Sequence, residues 1–464
     1  ERAFVVNCFG HRDFYHNNFR MAEFVDAESF DRSAIQALVT HVAEKGGRVS
    51  ENINFVYSQE AGTGVFATSQ IPARAELVSI PFIECISAES VMTTCLSEII
   101  NIRPGLLSYP DELIAMGLMY AATHFNSENN PWIEHVKTIP RTYNTPLYWS
   151  EEEFNEIKGT NAYHLTNLMK KQIKADWEAL HQPLSLEYPE MLGETTIELY
   201  QWALSTVYSR AVGIYRKGVY TRCIPPVVDL ANHNPEAGSE AAATYSFDEE
   251  NDRLSLINNT AKKQGDECFA VYGTYPNGKL LYTYGFVILN APTRAVDLWS
   301  RVTASLPNAS EKQDILNSHA LTKEQTYDFV GTLRPAFISP ALLATVRIIQ
   351  ADEAELECAE AAFRGEMLSV RNEKASYISL RNLLLHGMRV DNAMADKEKL
   401  GLMLLENVPK CDRLLMALIL RVEERELLQE CLALVDNWIE EITNIGEAYI
   451  PPDSPFQIPA VAQD

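Results

Sequence analysis

The chain is short of positive charge. Its 464 residues carry 39 Lys and Arg against 63 Asp and Glu, a formal net charge of −24 at pH 7. A general nucleic-acid binder needs a basic stripe to neutralise phosphates, so the balance argues against direct contact with nucleic acid. An acidic surface fits a basic protein partner drawn in by long-range attraction, and it equally fits plain solubility. Long apolar runs are also missing. The longest, "LLMALIL" at 414–420, has Arg at both ends and is far too short to cross a bilayer. No Lys/Arg cluster reads as a nuclear import signal. Paired cysteines are absent too. The eight cysteines stand at 8, 85, 95, 223, 268, 358, 411 and 431, with no two close enough for a CxxC zinc signature. No metal site is expected. In a chain of this length the pattern points to reduced thiols in a reducing compartment, the cytoplasm or nucleus.

What is present is an ordinary globular composition, 46% hydrophobic and 22% charged, enough for two or three domains with real cores. The opening "ERAFVVNCFGHRD" lacks the apolar stretch of a signal peptide, and residues 1–29 are expected to form a poorly ordered leader. Residues 30–46 show helical spacing with Gly46 as a stop. Residues 53–90 alternate apolar and polar positions between Gly and Pro, as short strands do. From about 90 to 212 the pattern is helical, with Trp132, Trp149, Trp177 and Trp202 as packing anchors. Strands and turns return over 220–300, and helices dominate from about 305 to 447. The tail from 448 to 464 is Pro-rich and is expected to be loose. The two β regions are separated by a helical insertion and need each other to bury their faces.

Three stretches carry candidate chemistry. In "AGTGVFATSQIPARAELVSIP", residues 61–81, two glycines flank Thr63 before a strand. Glycine lets a ligand approach the backbone closely, although a hairpin turn explains the same residues. A Rossmann fingerprint fails, because no third glycine follows and no helix opens. In "VVDLANHNPEAG", residues 227–238, Asn232 and His233 end an apolar run. Upstream, Ser209 and Arg210 close a helical segment; a buried Arg can orient carboxylates and carbonyls. An Asn amide can pair with an adenine edge or an amine, and His could bind metal, but no second ligand stands at metal spacing. Alone, such a pair is more often a satisfied turn. In "GDECFAVYGTYPNGKLLYTYGFV", residues 265–287, an apolar strand ends at Tyr272-Gly273, a Pro-Asn-Gly turn follows, and Tyr284-Gly285-Phe286 comes next.

Taken together, the order and spacing of "GTGVFA", "SR", "DLANH" and "YG…YGF" resemble the SET-domain pattern. More narrowly they resemble the split SET methyltransferases related to plant Rubisco large-subunit lysine methyltransferase. "NPWIEHVKTIPRTYNTPLYWSEEE" at 130–153 is similar to that family's insertion. "LLATVRII" at 342–349, "LSVRNE" at 368–373, and Arg413, Ala417, Arg421 and Glu424 are similar to its helical substrate-binding domain. The resemblance spans roughly residues 35–445. It implies an α+β fold: a β-rich SET domain over 30–300 with a knot-like C-terminal crossing, split by a helical insertion at about 92–212. An all-α domain at 301–447 follows.

The resemblance also implies an S-adenosylmethionine-dependent protein N-methyltransferase. Ala61, Gly62, Thr63, Gly64, Arg210, Asn232, His233, Tyr284, Gly285 and Phe286 would bind S-adenosylmethionine. Tyr272 would be catalytic, with Arg210, Asp229, Tyr245, Tyr272 and Tyr284 at the substrate side chain. The partner would be a lysine-bearing protein substrate, with no nucleic acid and no membrane, and the chain a monomer. A sister branch methylates a histidine in actin, and "YGT" at 272–274 resembles it. That branch has Asn where this chain has Val212, and Trp where it has Val228, so the polar and aromatic supports for an imidazole are absent. Lysine is therefore favoured over histidine. A third reading is a scaffold that recruits partners through its helical domain; the presence of Arg210, Asn232, His233 and Tyr272 argues against decay of the site.

Overall fold

The computed structural model describes residues 32–445, apart from 126, 128, 234–241, 299, 322–326, 329–330, 333–335, 337 and 389–392. The expected leader, the C-terminal tail and the loop after His233 lie outside the described residues. Helix α1 (Arg32–Glu44) buries Ala34, Ile35, Leu38 and Val42 on one stripe, and the chain leaves it through Gly46 at φ 81°. Strand β1 (Arg48–Val49) follows, then the β2 (Ile53–Ser58) and β3 (Gly62–Ala67) hairpin, β4 (Glu76–Pro81) and β5 (Ile86–Ser87). After an intervening helical region come β6 (Val212–Arg216), β7 (Val219–Ile224), β8 (Thr244–Asp248) and β9 (Arg253–Ile257).

The pairing joins the two halves. One antiparallel sheet runs β1-β4-β9-β8 and another β5-β7-β6. Ser79 of β4 faces Ser255 of β9, and Ile86 of β5 faces Ile224 of β7, so each sheet takes strands from both sides of the insertion. Leu77, Val78, Ile80, Leu254 and Leu256 form their common core with Leu38 and Val42 of α1. The described cysteines are all free, four of them buried.

The inserted helices pack as a unit around α2 (Pro110–Thr123), whose residues 113–122 are all buried. It lies against α4 (Ile197–Arg210), with α3 (Asn161–Asp176) further out. Trp132, Trp149 and Trp202 are buried as the spacing predicts, and Trp177 is partly buried against the same core.

The stretch read as a Pro-Asn-Gly turn is instead the start of helix α5 (Asn277–Tyr284). Pro276, extended at ψ 159°, precedes it, and Asn277 fastens both its own helix and its neighbour. Its Nδ2 donates to the Ile288 carbonyl and to Glu423 Oε2, and its Oδ1 accepts from the Ile288 N–H. The apolar run before Tyr272 is extended but forms only isolated bridges, not a regular strand.

The C-terminal helices are α6 (Pro340–Gln350), α7 (Val370–Gly387), α8 (Ala393–Leu405) and the 33-residue α9 (Arg413–Ile445). Their core holds a buried ion pair in which Arg347 Nε donates to Glu373 Oε2 at 2.7 Å. The family-like "LLATVRII" and "LSVRNE" stretches therefore meet each other, and Asn372 Nδ2 adds a bond to the Arg347 carbonyl. The other family-like set docks α9 on the insertion. Arg413 reaches Asn144 and Glu153, Arg421 reaches Glu156 and Asp396, and Glu424 accepts the Asn161 N–H at the start of α3. Ala417 lies between Trp149, Phe154, Ile157 and Leu281 in the same apolar seam. Among the described residues no helix is long and apolar enough to cross a membrane.

This docking seam titrates. Burial pushes the Glu423 carboxyl up to about 8; the Asn277 hydrogen bond and Arg294 pull it down, and Glu426 pushes it further up. Its neighbour Glu424 is also raised by burial. The folded state therefore holds a proton that the unfolded chain has lost, and stability falls as pH rises from the ordinary carboxylate range through about 8. Glu423→Gln, which keeps the acceptor for Asn277, is expected to flatten that slope and to melt higher than the parent at pH 8–9. Thermal denaturation across pH 5–9 checks this.

Candidate active site

The site begins where β7 ends. Pro225 and Pro226 cannot donate to a ladder, so the sheet stops there. Val227 then takes φ 67°, ψ −40°, an outlier for a β-branched residue that costs on the order of 1–3 kcal/mol. Complete burial of Val227 and Val228 holds it there. The turn drives the short 3₁₀ segment Val228–Leu230 inward and aims Asp229 at the end of α4.

There Arg210 Nη1 donates to both the Asp229 carbonyl and Asp229 Oδ2, each at 3.0 Å. His135 Nε2 lies 3.3 Å from Asp229 Oδ1. The Asp229 side chain has no exposed surface. Burial raises its carboxyl, but His135 and Arg210 outweigh that and hold it below the usual range. Asp229 was expected beside a substrate side chain. In the structure its carboxylate accepts from the Arg210 guanidinium and lies beside His135. Arg210 keeps one buried donor, Nε, with no hydrogen-bond acceptor.

Next in the chain, residues 231–233 lie parallel to 270–272. The Ala270 N–H donates to the Asn232 carbonyl at 2.8 Å, and the Tyr272 hydroxyl donates to the Ala231 carbonyl at 3.0 Å. The Tyr272 N–H donates to His233 Nδ1 at 3.2 Å, which requires a lone pair there and puts the imidazole proton on Nε2. Burial lowers the His233 pKa, in keeping with a neutral ring. On the other side of the 266–270 stretch, the Cys268 N–H donates to the Val65 carbonyl of β3. The Tyr272 segment is thus inserted between β3 and the Asn-His segment.

Two groups of side chains flank this seam. On one side Asn232 Nδ2 donates to Glu267 Oε1 at 2.9 Å, over Gly64. A Cβ at Gly64 would stand 2.4 Å from that oxygen and 2.9 Å from the amide nitrogen, so only glycine leaves the space. On the other side the rings converge. Tyr272 stacks on Tyr284 at 4.9 Å and lies 5.2 Å from His233, which lies 5.9 Å from Phe286; Tyr275 stacks behind Tyr284. Burial pushes the Tyr272 hydroxyl up to about 12, with Arg210 opposing, and it raises Tyr245 and Tyr284 further. All three are neutral phenols at pH 7.

The expected residues are therefore brought together with a few exceptions. Gly64, Arg210, Asn232, His233, Tyr245, Tyr272, Tyr284 and Phe286 belong to one region. Ala61 is exposed at the hairpin turn, where its N–H bonds Ser58 Oγ, and Gly62 and Thr63 pair with Ser58 and Tyr57 of β2. Gly285 has a reason of its own. It caps α5 at φ 82°, and a Cβ there would lie 2.8 Å from the Asn144 carbonyl carbon. Glu267, His135 and Tyr275 were not foreseen. Glu267 sits in "GDE", which reads as a solvated turn, and His135 lies in an insertion with no local signal of its own. Among the described residues no group of three or more His, Cys, Asp or Glu could hold a metal.

The donor set suits a small zwitterion carrying a flat ring. It offers a guanidinium with an unused donor, an amide, a carboxylate without a basic partner among the described residues, a bare glycine and aromatic faces. Comparison with known proteins agrees with this. Residues 303–428 match the Rubisco LSMT substrate-binding family. A ribosomal lysine N-methyltransferase, set10, of Schizosaccharomyces pombe is 24% identical over 429 residues, 90% of this chain and 75% of that protein. The actin-histidine N-methyltransferase of Gallus gallus is 25% identical over 326 residues, and that of Homo sapiens 25% over 327; each match covers 68% of this chain and 52% of the relative. The chain thus spans about half the length of these actin-histidine relatives. Of solved structures, the SET domain of LSMT bound to lysine and AdoHcy superposes with a TM-score of 0.75 at 20% identity, covering 89% of this chain and 93% of that one. Rubisco LSMT bound to AdoMet gives 0.72 at 21%, covering 89% and 93%.

The α+β fold is thus similar to that of the SET domain of LSMT, and the match at 303–428 is to the substrate-binding region of the Rubisco LSMT family.

The Arg210–Asp229 pair generates a test of the site's framework. Removing one partner of a buried pair leaves the other uncompensated, at a cost of about 3–5 kcal/mol. Asp229→Asn is expected to lower the melting temperature strongly at pH 7. The parent should lose this stabilisation only in acid, as pH falls through the depressed Asp229 pKa. Denaturant melts at pH 7 and pH 3 check both statements.

Proposed function

We propose that this protein is an S-adenosylmethionine-dependent protein methyltransferase acting on a lysine side chain. The observation that carries the reading is the seam itself: the Tyr272 hydroxyl, held by the Ala231 carbonyl, stands between the Asn232 pocket and a cluster of neutral rings. Arg210 through its spare Nε suits a carboxylate, Asn232 and the bare Gly64 backbone suit the amino-acid end, and His233 and Phe286 suit the flat base.

When bound, S-adenosylmethionine supplies a methyl group on a cationic sulfur, so that a new N–C bond forms as the C–S bond breaks and its electron pair returns to sulfur. The chain's residues supply placement. The Tyr272 proton is committed to Ala231, so its oxygen lone pairs face outward to accept a weak C–H···O contact or orient an amine. Alignment of this kind contributes on the order of 7 kcal/mol or more. A lysine ammonium must lose its proton first. Burial among Tyr245, Tyr272, Tyr284 and Phe286 disfavours the charged form, and water carries the proton away.

Two observations support lysine. Burial holds the Tyr245, Tyr272 and Tyr284 phenols neutral, surroundings that drive an alkylammonium off its charge. The relative matched over the greater share of the chain is the ribosomal lysine enzyme. A second reading, histidine, is favoured by the actin-histidine relatives and by Tyr272-Gly273-Thr274. Against it, Val212 and Val228 are buried and apolar where an imidazole needs polar or aromatic support.

Incubating the protein with a labelled methyl donor and a mixed cell extract, followed by mass spectrometry of modified residues, is expected to find methyl-lysine. Methyl-histidine alone would transfer the assignment to the second reading. Failure of the protein to bind S-adenosylmethionine would leave the scaffold. Tyr272→Phe keeps the Tyr284 stack and the Ala270–Asn232 bond but loses the hydroxyl's bond to Ala231; it is expected to bind the donor within about tenfold of the parent and to lose roughly a hundredfold or more of kcat. A native rate in that variant would remove Tyr272 from catalysis.

A further inference from the structure

Among the described residues Glu267 is the one carboxylate that reaches the Asn232 side chain, and it is placed at some energetic cost. It is half-buried, and its only polar side-chain contact among the described residues is the Asn232 amide at 2.9 Å. No Lys, Arg or His pairs with it there. Burial accordingly raises its carboxyl, with the Asn232 bond only partly opposing. A half-buried carboxylate with one neutral donor calls for a cation. Gly64 makes room for this pair itself, since a Cβ there would stand 2.4 Å from Glu267 Oε1 and 2.9 Å from Asn232 Nδ2.

We infer that Glu267 is a positioning residue for the methyl donor, pairing with the α-ammonium of its amino-acid end. This rests on the reading that the chain binds S-adenosylmethionine. That ligand carries two cations, and the geometry discriminates between them. The sulfonium has no N–H to donate and belongs beside the Tyr272 hydroxyl, where transfer must occur. An ammonium has three N–H donors and suits a carboxylate already joined to an amide. Arg210, whose side chain is 18% exposed, is left for the α-carboxylate, so the two ends of the zwitterion meet opposite charges. Ala61 at the exposed hairpin turn offers no carboxylate, and Glu267 supplies one from across β3.

Isothermal titration of the full-length protein and of Glu267→Gln tests this with three ligands. S-adenosylmethionine has both cations, S-adenosylhomocysteine only the ammonium, and 5′-methylthioadenosine neither. The Gln variant keeps shape and an acceptor for Asn232. It is expected to bind the first two more weakly by similar factors, roughly ten- to a hundredfold, and the third within about twofold of the parent. Gly64→Ala, which pushes the carboxylate aside, should reproduce this selectivity. Undiminished binding of S-adenosylhomocysteine by Glu267→Gln overturns the inference, as does a loss confined to S-adenosylmethionine, which would put Glu267 at the sulfonium. Equal loss of all three ligands also overturns it, by making the residue structural. A parent protein that binds none of them fails differently: it removes the proposed function, and this inference with it.

Discussion

Two parallel hydrogen bonds carry the architecture of the site. The Ala270 N–H meets the Asn232 carbonyl, and the Tyr272 hydroxyl meets the Ala231 carbonyl. Both partners lie in irregular chain, where no ladder would hold them by itself. Their register is imposed from outside. Cys268 is tied to β3, Ala243 is tied to Phe269, and the strained Val227 turn delivers Asp229 to Arg210 just upstream. A one-residue slip would carry Tyr272 to the opposite face, away from Tyr284 and His233. The surrounding sheets therefore serve as a jig. They take strands from both sides of the insertion so that neither half can shift without the other.

The helical domain is joined to the same jig by one short element. Helix α5 begins with Asn277, bonded to Glu423 of α9, and ends with Tyr284, stacked on Tyr272. A rigid helix of eight residues thus has the long C-terminal helix at one end and the ring cluster at the other. The residues Arg413, Ala417, Arg421 and Glu424 are explained in the same terms. They dock α9 on the insertion through the Arg413–Glu153 and Arg421–Glu156 pairs and the Asn161 N–H to Glu424, around an apolar seam.

The order of elements was legible in sequence wherever one period ran long enough. The helical stripe of α1, the alternation through β2 to β4 and the 3-4-7 pattern of α9 all appear as read. What misled was chemistry that serves a distant partner. Pro-Asn-Gly has every local mark of a turn, yet Asn277 is spent on Ile288 and Glu423. The apolar run before Tyr272 looks like a strand but is shared among three single bridging contacts. In the site, Asn232, His233, Tyr272 and Arg210 could be picked out because their order along the chain is distinctive. Glu267 could not, since an acidic residue after Gly265 looks solvated until β3 is seen to pass beneath it. Asp229 was picked out for its position, but only its burial shows that its partner is Arg210.

The protonation states of the site bear on the residue it modifies. Tyr245, Tyr272 and Tyr284 are all pushed above the usual phenol range, and His233 is held neutral by burial and by the lone pair it shows to Tyr272. None of these is a base able to take a proton from an ammonium at pH 7. An imidazole, with an ordinary pKa near 6.5, is already largely neutral and needs instead a polar partner to fix its ring. A lysine, near 10.4, needs to be driven off its charged form. On the proposed function the dry ring cluster would serve the second task, while Val212 and Val228 are apolar and Asp229 is already engaged. A pH profile dominated by the substrate amine, rising through neutral pH without a bell, is the behaviour such a site would show.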